Sequence, residues 1–357
     1  AMREDLGWNY VQAGFLNTAN GVGYLIGAVL TRLVIVRTGN RVLFIGGVAL
    51  TALAVLATGF ARGIEWLAFW RIACGIFGAA AFVAGGALSG NILPHLPARA
   101  PVTIAIYFGG GGVGFLLCGV PLPLLLEAAG AAAWPRTWMW MGAAGLILTL
   151  FCAWAALRIE EPGAAPAGGH APHTLAPLAA GLAAYFMFGL GYIGYMTFVI
   201  AWMRDLGQGT VAVIAVWTTF GVASLAGPWV WGRALARWTP GRMLAGAMAM
   251  LAAGTLVPLL ANSLIALMLS AALFGASMWN VPGSVTALSK RALPMHAWGA
   301  AVATFTIVFS VGQIAGPVLA GALADLSGSL KSALLVSAAI LATGSVIALA
   351  QRDVVHR

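Results

Sequence analysis

The chain reads as a succession of long apolar runs separated by short stretches that hold almost all of its charge. No Asp, Glu, Lys, Arg or His falls within residues 6–31, 42–61, 72–94, 100–126, 137–157, 174–203, 206–232, 243–289, 297–324 or 332–351. A helix rising about 1.5 Å per residue needs roughly 20 apolar residues to cross the hydrocarbon core of a bilayer. The run 243–289 is 47 residues long and holds two such helices, broken near Asn262 and Ser263. Each of the others holds one, so the pattern predicts an all-α membrane protein with eleven spans. A transmembrane β-barrel is excluded, because its strands would alternate over about ten residues.

Composition agrees. Only 8% of residues are charged and 61% are hydrophobic, against roughly 25% and 45–50% in soluble domains. The formal net charge of +9 raises the question of nucleic acid, which the placement of the charges answers. With the loop 32–41 set on the cytoplasmic side and the sides alternating, twelve Lys and Arg are cytoplasmic and five external. Arg71 alone lies within a helix. This is the positive-inside bias of a multi-pass protein, not a polyanion-binding patch, and it puts the C-terminus in the cytoplasm. Cys74, Cys118 and Cys152 all fall in apolar runs and read as packing residues.

An offset of 200 residues maps the first part of the chain onto the second. Asp5-Leu6-Gly7 matches Asp205-Leu206-Gly207, and Thr18, Gly21, Val22, Leu25 and Gly27 match Thr218, Gly221, Val222, Leu225 and Gly227. Arg37, Gly75, Ser89 and Leu93-Pro94 match Arg237, Gly275, Ser289 and Leu293-Pro294. Parallel repeats of this kind predict two helical bundles, residues 1–158 and 176–357, joined by a cytoplasmic linker at 159–175. The second half has six predicted helices and the first five, which leads to the expectation of a further helix upstream of residue 1. His170 and His173 in the linker lack an accompanying acid or cysteine, so no metal site is predicted there, and nothing calls for a cofactor.

Polar groups inside the apolar runs are the functional candidates. An Arg at the bilayer centre costs roughly 2.5–3.5 kcal/mol on insertion scales, so Arg71 faces a cavity or partner, or snorkels to the nearby helix end. No Asp or Glu occupies the middle of a predicted span, and a guanidinium without a counter-carboxylate suits an anion. Tyr185, Phe188, Tyr192 and Tyr195 recur at steps of three, four and three, which places them on one helix face, either as a packing stripe or as a substrate surface. Trp279, Asn280, Asn17, Asn20 and Gln313 are further intramembrane polar positions, equally suited to interhelical hydrogen bonds. Gly109–Gly112 is no phosphate loop, since no Lys-Ser/Thr follows it, and it predicts a helix break, as does Pro282. No G-x-S-x-G, H-E-x-x-H or His/acid cluster supports an enzyme.

On these residues the chain resembles the major facilitator superfamily. Gly27 through Arg32, Arg37, Gly39 and Arg41 are similar to its basic loop motif, and Gly232-Arg233 to Arg237 with Arg242 to the repeat copy. The usual Asp is missing, with Thr31 and Ala236 where it would stand. Arg71-Ile72-Ala73-Cys74-Gly75 resembles the fourth-helix motif in which an Arg is linked with proton coupling. Gly312-Gln313-Ile314-Ala315-Gly316-Pro317 resembles the antiporter motif, displaced to the eleventh helix. Met2-Arg3-Glu4-Asp5-Leu6-Gly7 and Gly189-Leu190-Gly191-Tyr192-Ile193-Gly194-Tyr195 resemble the bacterial YbfB/YjiJ group.

The resemblance implies a twelve-helix, two-bundle fold in which helices one, four, seven and ten line a cavity. Arg71, Tyr192, Tyr195, Trp279 and Asn280 would lie on cavity helices, and Arg32, Arg37, Arg41, Arg233, Arg237 and Arg242 in gating loops. It implies a monomeric secondary transporter of the bacterial inner membrane working by alternating access, with the bilayer, protons and a small molecule as partners. The expected cargo is a monocarboxylate-like anion moved with protons. An exporter of hydrophobic or cationic compounds and a non-transporting sensor or scaffold are the alternatives.

Overall fold

The computed structural model describes residues 1–96, 100–161, 175–293 and 298–353. Their α-helices are α1 (Met2–Asp5), α2 (Tyr10–Thr58), α3 (Ile64–Gly90), α4 (Ala100–Gly119), α5 (Pro121–Ala129), α6 (Trp134–Ala156) and α7 (Ala179–Asp205). They continue with α8 (Thr210–Val230), α9 (Gly232–Arg237), α10 (Pro240–Leu260), α11 (Leu264–Met278), α12 (Asn280–Ala292), α13 (Trp298–Ser327) and α14 (Leu330–Leu349). The central part of the expected linker, with His170 and His173, lies outside the described residues.

Ten stretches are long and apolar enough to cross a membrane. The first, α2, has 49 residues, about 74 Å of helix, which is more than twice a hydrocarbon core. Gly39 (φ 77°, ψ 168°) divides it into two spans, because only glycine takes that conformation without Cβ strain. The described residues therefore hold eleven spans. Their outward side chains are apolar: Val36, Val211, Ile265 and Leu260 are 78–84% exposed. Such a surface is stable against lipid, where each helix satisfies its own backbone hydrogen bonds.

Local chemistry sets the helix starts. Asn9 and Gln12 form a reciprocal capping box at the start of α2. Thr239 followed by Pro240 opens α10, and Ser263 and Ser329 cap α11 and α14. The expected break near Asn262-Ser263 is thus a capped turn. The four glycines Gly109–Gly112, by contrast, do not break α4, which runs unbroken to Gly119. Interruption falls instead at Val120, just before Pro121. An unwound turn in lipid would leave backbone groups unpaired, so glycine alone does not open a helix there. Pro282 removes a donor, and the chain pauses one turn earlier, at Trp279 between α11 and α12.

Two compact units emerge, one comprising Ala1–Gly110 and Leu124–Ala164, the other Gly111–Pro123 and Ala165–Arg357. The segment Gly111–Pro123 thus groups with the second unit, where Phe115 stacks on Trp217 at 5.4 Å and meets Phe220 edge-on at 4.6 Å.

The 200-residue repeat has a geometric counterpart inside each unit. Gly7 and Gly207 both turn the chain with positive φ (65° and 73°). Trp8 N–H donates to the Arg3 carbonyl and Gln208 N–H to the Met203 carbonyl, each at 2.9 Å. A Cβ on Gly75 would strike the Asn20 carbonyl, and one on Gly275 the Phe220 carbonyl. Likewise Gly27 abuts the Ile76 carbonyl and Gly227 that of Ala276. Corresponding helix pairs therefore cross at corresponding glycines.

Gly75→Val and Gly275→Val should each destabilise the protein by at least about 1–3 kcal/mol, the usual cost of overpacking. Gly114→Ala, whose added Cβ meets nothing within 4 Å, should not. Thermal stability of the detergent-solubilised variants reads the difference.

Candidate functional site

Arg71 lies on the first third of α3, two turns in from Gly63, which enters the helix with φ 82°. Its carbonyl accepts a hydrogen bond from Asn20 Nδ2 at 3.1 Å, one turn from the contact between Gly75 and Asn20. Asn17 is one turn earlier on α2, half-buried. The Arg71 guanidinium stands 5.2 Å from the ring centroid of Trp138 on α6, and Trp138 Nε1 donates to Met2 Sδ at 3.3 Å. Trp138 and Trp70 pack on a buried cluster of Leu16, Ala61, Leu67 and Trp134. Among the described residues the ion pairs are Arg41–Glu161 and Arg291–Asp353, so no carboxylate pairs with Arg71. A ring face attracts the cation but accepts none of its five N–H donors.

In the second unit the aromatic residues of α7 divide between two neighbours. Tyr185, Phe188 and Tyr192 all stack on Phe309 of α13, at 5.1–5.6 Å with interplanar angles of 23–27°. Tyr195 leaves this group. It is 1% exposed, stacks on Phe274 of α11 at 4.2 Å, and shares a 2.8 Å hydrogen bond with Ser270. Because Ser270 Oγ donates to the Gly254 carbonyl, the Tyr195 hydroxyl is the donor.

Gln313 lies one turn beyond Phe309 on α13 and is half-buried, at the point where Gly312 abuts the Phe186 carbonyl and Gly316 that of Leu190. The Gly312–Pro317 segment is thus a close crossing of α13 with α7. Asn280 Nδ2 donates to the Ala276 carbonyl at 2.9 Å, across the break at Trp279. Trp279, at the break between α11 and α12, lies against Gly111, and its buried Nε1 has no partner among the described residues.

The loop arginines differ between units. Arg32 and Arg37 are exposed, whereas Arg41 is pinned: Nε donates to the Ala156 carbonyl at 3.1 Å and Nη2 to that of Ile159 at 2.7 Å. Glu161 accepts from the backbone N–H groups of Asn40 and Arg41. Its carboxylate therefore covers the positive N-terminus of the span that begins after Gly39. Sequence reasoning missed Glu161; the signal was Glu160-Glu161, directly after the fifth predicted helix and on the same side as Arg32–Arg41. In the second unit the corresponding helix start is capped locally by Thr239. Arg233, Arg237 and Arg242 are exposed, and none is ion-paired among the described residues. The end of α3 is tied by Asn91 Nδ2 to the Glu160 carbonyl at 2.8 Å, and the end of α12 by Arg291 to Asp353 at 2.8 Å. No group of three His, Cys, Asp or Glu among the described residues is placed to hold a metal.

A family model described as "Uncharacterised MFS-type transporter YbfB" matches residues 1–349. Solved structures that share the fold include two transporters. One is a bacterial homologue of the human lysosomal transporter Spinster, in an inward-facing and unoccupied conformation. It is 16% identical with TM-score 0.63, over 98% of this chain and 89% of that one. The other is a point mutant of the nucleoside transporter NupG, 14% identical with TM-score 0.70, over 98% and 93% of the two chains. No curated protein matches the chain.

Two substitutions test the packing around these candidates. Glu161→Ala should cost about 1–2 kcal/mol through loss of the helix cap, and Glu161→Gln, which keeps an acceptor, only about 0.3–1 kcal/mol. Tyr195→Phe should cost about 0.6 kcal/mol, with an upper bound near 1.7 kcal/mol, as for interhelical hydrogen bonds in membranes. Melting of purified protein in one detergent ranks the three.

Proposed function

The chain belongs to the YbfB family of MFS-type transporters, and from that premise we propose that it carries a small organic anion, monocarboxylate-like, together with protons. It does so in the bacterial inner membrane with its C-terminus in the cytoplasm, the side favoured by the Lys and Arg distribution. The observation that carries this reading is Arg71: a guanidinium within a membrane-length helix, held against a Trp face, with no carboxylate partner among the described residues. A carboxylate cargo supplies the missing acceptor pair in a bidentate fork.

Every Asp and Glu of the sequence lies at or beyond a helix end, near Glu65, Glu127 and Asp325 at the deepest. On this reading the cargo's own carboxyl group is the titrating group. Ionised, it binds Arg71; protonated, it loses the fork and leaves with its proton. Tyr185, Phe188, Tyr192 and Phe309 favour a second reading, since a stack of aromatic faces also suits an exporter of hydrophobic or cationic compounds.

Liposomes containing the purified protein and a pH-sensitive dye separate the two. Monocarboxylates should drive co-directional proton uptake that falls about tenfold or more in Arg71→Ala. Arg71→Lys should keep part of it, and Arg62→Ala, in the turn before α3, all of it. Counterflow with lipophilic cations alone would replace the anion reading by the exporter. Silence with every compound would remove both.

A further inference from the structure

We propose that the groove formed by the end of α8, by α9 and by α10 in the second unit binds the phosphodiester headgroup of an anionic phospholipid. The groove has a volume of about 350 Å³. Arg233 and Arg237 line its charged end, one helical turn apart on α9. Side chains four residues apart on a helix are neighbours, and like charges there repel. Neither guanidinium is ion-paired among the described residues. A phosphate between them relieves the repulsion and accepts from both forks.

The rest of the groove suits the remainder of a lipid. Trp231 and Trp238 meet edge-on at 6.2 Å, and both line it. Indole rings favour the boundary between headgroups and acyl chains. Trp231 is 7% exposed, and its N–H has no acceptor among the described residues. Val230 and Met250 add apolar lining. Trp229 and Val230, 78% and 58% exposed, continue that surface outward. Guanidinium, indole and aliphatic surfaces together match the phosphate, glycerol and acyl parts of a phospholipid. Basic pockets between helices at a membrane face are known to select anionic headgroups.

The repeat supplies an internal comparison. Arg37 matches Arg237, but Thr31, Leu33 and Thr38 stand where the second half has Trp231, Arg233 and Trp238. Three of the groove-forming residues therefore have no counterpart of the same type in the first unit.

The test is binding, so its outcome is independent of the cargo and of transport. Delipidated full-length protein in detergent is titrated with phosphatidylglycerol, phosphatidylcholine or inorganic phosphate and read by native mass spectrometry. Phosphatidylglycerol should bind in preference to phosphatidylcholine. Arg233→Gln and Arg237→Gln should each weaken it about fivefold, and Arg37→Gln should not. Ala234→Phe keeps both charges but fills the groove, and should weaken binding as much as either Arg variant. Full binding by Ala234→Phe would reduce the effect to diffuse surface charge and overturn the proposal. Inorganic phosphate displacing the lipid at equal concentration would overturn it in favour of a free-anion site. Equal binding of phosphatidylcholine would overturn it as well.

Discussion

Helices in a bilayer gain nothing by hiding apolar side chains from lipid, so each bundle holds together where its backbones can touch. Gly75 against Asn20 and Gly27 against Ile76 set the crossing of α2 and α3. Gly275 against Phe220 and Gly227 against Ala276 set that of α8 and α11. At such a crossing a Cβ has no room, and neighbouring polar groups come within reach of the opposite backbone. The bond from Asn20 to the Arg71 carbonyl follows from that proximity. It fixes the rotation of α3, and with it the side on which the guanidinium leaves the helix. A packing constraint on glycine thus becomes a constraint on where charge is presented.

What the sequence made legible tracks what is local. Spans follow from hydropathy because length and apolarity are the whole requirement for crossing lipid. Capped turns at Asn9, Thr239 and Ser263 follow from residue type. The repeat was legible as letters, and the positive φ of Gly7 and Gly207 gives those letters a physical meaning. Glu161 was not legible as a helix cap, because its contact with Asn40 joins residues 121 apart. The separation of Tyr195 from Tyr185 and Tyr192 was hidden for a related reason. Periodicity assigns a face, but crossing helices bring different neighbours to one face at different heights, here α13 and then α11. The glycine run at 109–112 misled, since propensity learned in water overstates how readily a lipid-embedded helix opens.

The two units solve one problem in different ways. A helix that starts at a sharp turn near the membrane face must satisfy its first N–H groups. In the second unit Thr239 does this from within the turn. In the first, Gly39 has no side chain to offer, and a carboxylate from beyond α6 does it. The remote solution binds the loop to the end of another helix and draws Arg41 into the same knot through the carbonyls of Ala156 and Ile159. The local solution leaves its arginines unpaired at the surface. The duplicated halves thus differ in how this helix start is satisfied, remotely in one and locally in the other.

That divergence bears on the intramembrane polar groups too. A buried polar group in lipid is paired, or it waits for something to pair with. Tyr195 is of the first kind, satisfied through Ser270 to the Gly254 carbonyl, and so is Asn280 through Ala276. Arg71, half-buried, has no such protein partner among the described residues. Its aromatic partner offsets part of the cost of desolvating a cation without using its hydrogen-bond donors. A carboxylate from the protein would lock the guanidinium and leave a cargo to compete with a permanent partner. A Trp face instead leaves the fork open, the arrangement that the proposed reversible anion site requires.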